Sequence, residues 1–187
     1  TVDFNAAMTV FALYMSTIGD ILNDKELSFR YKRVYFALKT RINSMMWSPV
    51  DNFYFDLDED GEIIRNKHLG AYWTLLAEIP NDDYAQFLID NLKDDKEFGT
   101  DNPFPAIPAS SKYFSVDGNG YCGGVSSFMT YIVIKGLMNY ESFTFARECA
   151  IRHLYFILDT LHPGEEKQGH SWELYKPMSE GPSVCPD

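Results

Sequence analysis

Glu173 stands between two aromatic residues in the run Gly169-His170-Ser171-Trp172-Glu173-Leu174-Tyr175. Those residue types suit carbohydrate chemistry. Aromatic rings stack on the apolar faces of a pyranose, while a carboxylate accepts hydroxyl hydrogens or activates water. The same run also fits a packed loop whose Glu is solvated. His170 and Glu173 lie three apart, but two groups alone do not make a metal site. Asp56, Asp58, Asp60 and Gly61 fall at positions one, three, five and six of a calcium loop. The twelfth position, which a bidentate Glu should close, is Lys67, whose ammonium would repel the ion. A plain turn is the better reading. Asp82-Asp83 could begin a magnesium-holding cluster, yet Tyr84-Ala85-Gln86 adds no further carboxylate, so helix-start chemistry explains the pair. His68, His153 and His162 are isolated and read as structural. Cys122, Cys149 and Cys185 are too few for a disulfide scaffold, and their odd number leaves at least one thiol unpaired or paired elsewhere.

The elements that must position these groups are helical. Phe4, Met8, Phe11, Met15, Ile18 and Leu22 recur at helical spacing. Asn23, with Glu26 three residues on, is expected to cap a second helix carrying Leu27, Tyr31, Val34, Leu38, Ile42 and Met45 on one face. The short connection makes the two an antiparallel hairpin. The alternation through Phe53, Phe55 and Leu57, then Gly61 and Ile63-Ile64, predicts a small β-hairpin. A third helix is expected over 69–79, stopped by Pro80, and a fourth from an Asn81 cap. Two more are expected over 125–140 and from a Ser142 cap to about residue 161. The class is therefore all-α with small β excursions. Residues 94 to 124 show neither period and hold Pro103, Pro105, Pro108 and five glycines among several aromatics. A loop of that length in a compact domain is usually functional, which makes it a candidate binding wall.

Composition narrows the rest. The 187 residues carry a net charge of -11, with 45% hydrophobic and 16% aromatic content. The apolar content argues for a folded core, and the acidity argues against nucleic acid as a partner. No apolar run reaches the ~20 residues of a membrane span. No signal-peptide pattern follows Thr1. Fourteen acids against four bases lie between residues 48 and 101, which reads as a solvated outer surface.

Gly120-Tyr121-Cys122-Gly123-Gly124-Val125, then Tyr131-Ile132-Val133-Ile134-Lys135-Gly136-Leu137 and Tyr140, resembles a signature of the six-hairpin glycoside hydrolases. The likeness is to the mannosylglycerate-hydrolase-like enzymes related to glycoside hydrolase family 63 and to trehalases. Asp3-Phe4-Asn5-Ala6, Trp47, Phe53-Tyr54-Phe55-Asp56, Phe98-Gly99, Ala146-Arg147-Glu148, His153 and Trp172-Glu173-Leu174-Tyr175 fall in matching order. The resemblance implies about half of an (α/α)6 toroid across 1–187, cut at both ends. It implies hydrolysis of an α-linked glucoside or mannoside with inversion, by two carboxylates and no cofactor. Glu173 would be the general base and the general acid would be an Asp upstream of Thr1. Trp172 and Tyr175 would shape the pocket and Tyr121 would line the sugar site. Asp3 is a candidate sugar contact, or alternatively a helix N-cap. Cys122 and Ser126 replace family aromatics, and Leu174 replaces an Asn. These departures favour an alternative, a catalytically inactive helical barrel that binds carbohydrate or protein.

Overall fold

A computed structural model describes residues 1–160 and 171–184. Helix α1 (Val2–Ile21) and helix α2 (Lys25–Met45) form the expected antiparallel hairpin. Its turn differs by one residue from expectation. Asn23 adopts a left-handed φ of 56°, and Asp24 is the cap, accepting from the Leu27 N–H at 3.0 Å. Asn tolerates the left-handed region better than most residues, so it closes the turn and leaves the cap to its neighbour.

The packed face of α1 is also not the one its large residues mark. Ala6, Thr9, Ala12, Ser16 and Gly19 are buried, while Phe4, Met8, Phe11 and Ile18 are exposed. Small residues let the α2 backbone come close. A Cβ on Gly19 would lie 2.5 Å from the Ser28 nitrogen.

Between Trp47 and Ile64 there are two short ladders instead of one hairpin. Strand β1 (Trp47–Ser48) pairs with β2 (Phe53–Tyr54), and β3 (Asp56–Leu57) pairs with β4 (Ile63–Ile64), all antiparallel. Asp58 Oδ1 closes the second turn by accepting from the Asp60 and Glu62 N–H groups. Phe53, Tyr54 and Phe55 are all buried, so the period-2 pattern describes no two-faced strand here. They join Tyr72 and Phe98 in an aromatic core, with Phe53 stacked on Phe98 at 6.1 Å.

A 3₁₀ turn (Leu69–Tyr72) leads into the short helix α3 (Trp73–Leu76), which stops earlier than expected. Glu78, at a left-handed φ of 53°, closes the helix as a C-terminal cap, with the Ile79 N–H donating to Thr74 O and the Glu78 N–H to Leu75 O. The freed carbonyls are claimed by α2: Tyr35 Oη donates to Ala77 O, and Lys39 Nζ donates to Glu78 O. Helix α4 (Asp82–Lys93) starts at Asn81, whose side chain accepts from the Tyr84 N–H at 2.8 Å. Strand β5 (Val125–Ser126) precedes helix α5 (Ser127–Asn139), then come helix α6 (Phe143–Thr160) and strand β6 (Leu174–Tyr175).

Helices α1, α3 and α5 lie side by side as one layer, with α2 behind α1 and α6 behind α5. Tyr72 Oη donates to Leu88 O and ties the 3₁₀ turn before α3 to α4. The all-α class with small β ladders, arranged as helical hairpins of the (α/α)6 type, is what the chain adopts. Among the described residues no helix is long and apolar enough to cross a membrane.

Candidate active site

The layer of α1, α3 and α5 places the beginnings of α1 and α5 and the 3₁₀ turn before α3 around one cavity of about 270 Å³. Asp3 comes from the first turn of α1, and His68 and Gly70 from the entry to α3. Ser126 and Met129 come from the start of α5. The positive partial charge of a helix N-terminus favours the Asp3 carboxylate in the first turn of α1. The remaining wall comes from the long loop, through Ala106, Ile107, Tyr121 and Gly124. That loop is stitched in place by Leu69 N–H donating to Ala106 O and Ala106 N–H donating to Gly124 O. Gly123 has a φ of 142°, a region open to glycine alone among ordinary residues, so the chain can double back there.

A second cavity, about 510 Å³, shares Ile107 and Tyr121 with the first and is lined further by Tyr113 and Cys122. Its charged groups are already paired, Arg65 with Asp51 and Lys67 with Glu97. A third space, about 560 Å³, lies by the C-terminal ends of α3 and α5 near Glu78 and Tyr140 and includes none of the site residues expected from sequence.

Asp3 and Tyr121, far apart in the chain, thus meet at one cavity. Asp3 does not cap α1. Its Oδ1 accepts from the Phe4 N–H at 2.7 Å, and the Val2 N–H is taken by Asp56 Oδ1 at 2.6 Å. Burial pushes the Asp3 pKa up, but hydrogen bonds from Thr1 and Phe4 and the neighbouring His68 outweigh it and hold the carboxyl below its usual range.

Glu173 lies on a strap of residues 171–184. Strand β6 of that strap pairs antiparallel with β5, Tyr175 opposite Val125 and Leu174 opposite Ser126. Leu174 lines the cavity, while Glu173 and Trp172 are exposed beside it. Tyr175, expected to shape the pocket, is buried and does not line this cavity; its Oη accepts from the Trp172 N–H at 3.1 Å. Its ring meets His153 edge-on at 5.8 Å. His153 Nδ1 donates to Asn102 Oδ1 at 2.8 Å, and Nε2 accepts from the Ser127 hydroxyl at 2.9 Å. Asn102 then binds the strap twice, through its N–H to Pro177 O and its Nδ2 to Lys176 O. Burial pulls the His153 pKa down to about 4, so the ring is neutral and the tautomer is set by its partners.

His170, His162 and Cys185 lie outside the described residues. Cys149 is buried, which pushes its thiol up to about 12. No group of three or more His, Cys, Asp or Glu side chains that could hold a metal occurs among the described residues. Sequence reasoning missed His68, a lone histidine with no motif around it. Only the fold brings it beside Asp3.

The mannosylglycerate hydrolase MGH1-like glycoside hydrolase domain matches residues 1–182. An uncharacterized protein of Borreliella burgdorferi is 48% identical over 182 residues, covering 97% of this chain and 38% of that protein. The GH63 mannosylglycerate hydrolase from Thermus thermophilus, in complex with Tris, superposes with a TM-score of 0.83 at 19% identity, over 97% of this chain and 41% of that one. The neutral trehalase of Saccharomyces cerevisiae gives 0.74 at 16% identity, over 94% and 34%. The chain therefore spans less than half the length of these relatives, and the structural likenesses establish its fold. With the match over 1–182, the chain belongs to the mannosylglycerate hydrolase MGH1-like glycoside hydrolase domain family.

Proposed function

We propose that this chain supplies one side of the active site of a glycosidase, an enzyme hydrolysing an α-linked glucoside or mannoside with inversion. One observation carries the reading: the strap bearing Glu173 is laddered onto β5, so that Leu174 and Ser126 share a cavity with Asp3 and Tyr121. In this reading Glu173 is the general base. It takes a proton from water as that water attacks the anomeric carbon, while an acid on the opposite side protonates the leaving oxygen. Inversion needs the two carboxyls about 6.5–9.5 Å apart, with the water between them. The family resemblance puts the acid on an Asp outside these 187 residues. Trp172 shapes the rim, Tyr175 orients the strap from behind, and Tyr121 and Asp3 contact the sugar. The partner is a carbohydrate, and two carboxylates need no cofactor.

The test is Glu173→Gln in the full-length protein. Turnover should fall by roughly 10²–10⁴-fold with the fold and substrate binding retained. Wild-type product should first appear with inverted anomeric configuration by NMR. Near-normal turnover of the variant overturns the base assignment.

A second reading has its own observation. Cys122 and Ser126 stand where family aromatics are expected, and Ser126 lines the cavity. A barrel that binds carbohydrate or protein without hydrolysis fits those losses. It predicts sugar binding by the full-length protein with no released product.

A further inference from the structure

We propose that His68 is a sugar-recognition residue of this cavity, presenting Nδ1 to a ring hydroxyl beside the Asp3 carboxylate; the proposal rests on the carbohydrate reading above. His68 sits in extended backbone (φ -147°, ψ 157°) just before the 3₁₀ turn, which throws its side chain toward the start of α1. The far edge of the ring is enclosed. Nε2 lies 3.4 Å from Asp56 Oδ2, buried and without a hydrogen bond. The other oxygen of Asp56 accepts the Val2 N–H at 2.6 Å. One carboxylate therefore binds the start of the helix that carries Asp3 and lies beside the imidazole.

The near edge is open. Nδ1 makes no hydrogen bond among the described residues, and the side chain is 27% exposed where it lines the cavity. Gly70 provides the room. A Cβ there would come 2.7 Å from His68 Nδ1 and 3.1 Å from the Asp3 Cβ, so any larger residue would displace both groups. Gly70 has no left-handed φ to explain its presence, which leaves this close approach as its physical role.

The chemistry matches a polyol ring. The Asp3 carboxylate only accepts, so it binds hydroxyl hydrogens. An imidazole nitrogen either donates or accepts, so it suits the next hydroxyl. Leu69, Ala106, Ile107 and Met129 give an apolar floor for ring carbons, and Tyr121 adds an aromatic wall. A volume of about 270 Å³ is at the small end of ligand pockets, which fits one ring and not a chain.

Binding of D-glucose and D-mannose to the full-length protein by calorimetry tests this. Three variants are compared: His68→Ala, His68→Asn and His68→Gln. The Asn amide overlays Nδ1, whereas the Gln amide overlays Nε2. Loss of one hydrogen bond in the alanine variant should weaken the better-bound sugar about tenfold. The Asn variant should keep affinity within about threefold of wild type, and the Gln variant should resemble alanine. In wild type, one monodeoxy analogue of that sugar should also bind about tenfold worse, with no such difference in His68→Ala. If Gln rescues and Asn does not, the Nε2 edge beside Asp56 is the one that matters and the proposal fails. It fails equally if all three variants bind like wild type. Absence of any sugar binding by wild type overturns the carbohydrate reading itself, a different result from normal wild-type binding that ignores His68.

Discussion

Ser126 and Leu174 face each other across the β5–β6 ladder, and both line the cavity that holds Asp3. A two-residue ladder is too short to fix a strap alone. The next pair, Val125 and Tyr175, is fully buried and supplies the anchor. Placement of Glu173 thus depends on an aromatic residue that stands behind the cavity.

Tyr175→Phe and Tyr175→Ala separate the two parts of that anchor. The Phe variant loses only the acceptor for the Trp172 N–H and should cost about 1 kcal/mol. The Ala variant also vacates the contact with His153 and should cost about 3–5 kcal/mol. Limited proteolysis should cut within 171–184 in the Ala variant and leave the Phe variant intact. Equal protection of both would show that the ladder and Asn102 hold the strap without the ring.

His153 makes the same anchor sensitive to acid. Its folded pKa is pulled down to about 4, against about 6.5 for an unperturbed histidine. The unfolded chain therefore binds a proton before the folded one does. The stability this residue contributes is fully present above about pH 6.5 and is lost as pH falls toward 4. By linkage the loss reaches about 2 kcal/mol at pH 5. Denaturant unfolding at pH 7.5 and pH 5 should show that loss in wild type and not in His153→Gln. Parallel pH dependence of the two proteins would place the acid sensitivity elsewhere.

Helix existence was legible because apolar spacing and caps are local. Asn81 caps α4 where expected, and the α1–α2 hairpin follows from a short polar break. Which face of α1 packs was not legible. Periodicity marks Phe4, Met8, Phe11 and Ile18 as one side, but it cannot say that the small residues opposite meet α2. Close approach is a property of two helices together. The site divides in the same way. Glu173 was singled out by its place between two aromatics and by a family pattern, Tyr121 and Asp3 by the family pattern, and Asp3 and Tyr121 do meet at one cavity. His68 and the Asn102–His153–Ser127 chain of hydrogen bonds join segments far apart in sequence, with no spacing rule to reveal them.

Gly19 gives a test of the packed face in which two effects oppose. Glycine inside a helix costs about 1 kcal/mol relative to alanine, so Gly19→Ala should stabilise an isolated α1. In the fold the added Cβ would sit 2.5 Å from the Ser28 nitrogen and 2.9 Å from its Cα, both backbone atoms that cannot swing aside. Overpacking of that kind costs about 1–3 kcal/mol. The net expectation is a lower melting temperature, by several degrees for a domain of this size. A raised melting temperature would mean that α1 and α2 sit farther apart than described.

The opposite face of α1 predicts behaviour in solution. Phe4, Met8, Phe11 and Ile18 are 67%, 44%, 49% and 42% exposed and follow one another along the helix, with Tyr14 and Ile21 close by. A contiguous apolar strip of this length exceeds what monomeric proteins usually leave uncovered. The 187-residue chain should therefore self-associate at micromolar concentration. Phe4→Lys combined with Phe11→Lys should shift it toward monomer in sedimentation or size-exclusion measurements. Thermal stability should change little, because neither Phe4 nor Phe11 belongs to the buried core. The main expected loss is the edge-on contact of Phe11 with Tyr31 at 5.8 Å, worth about 0.5–1.5 kcal/mol. A large drop in stability instead would mean that the strip is packed within the chain, and unchanged association would place the adhesive surface on α5 and α6, where Phe128, Tyr131, Leu154 and Tyr155 are likewise exposed.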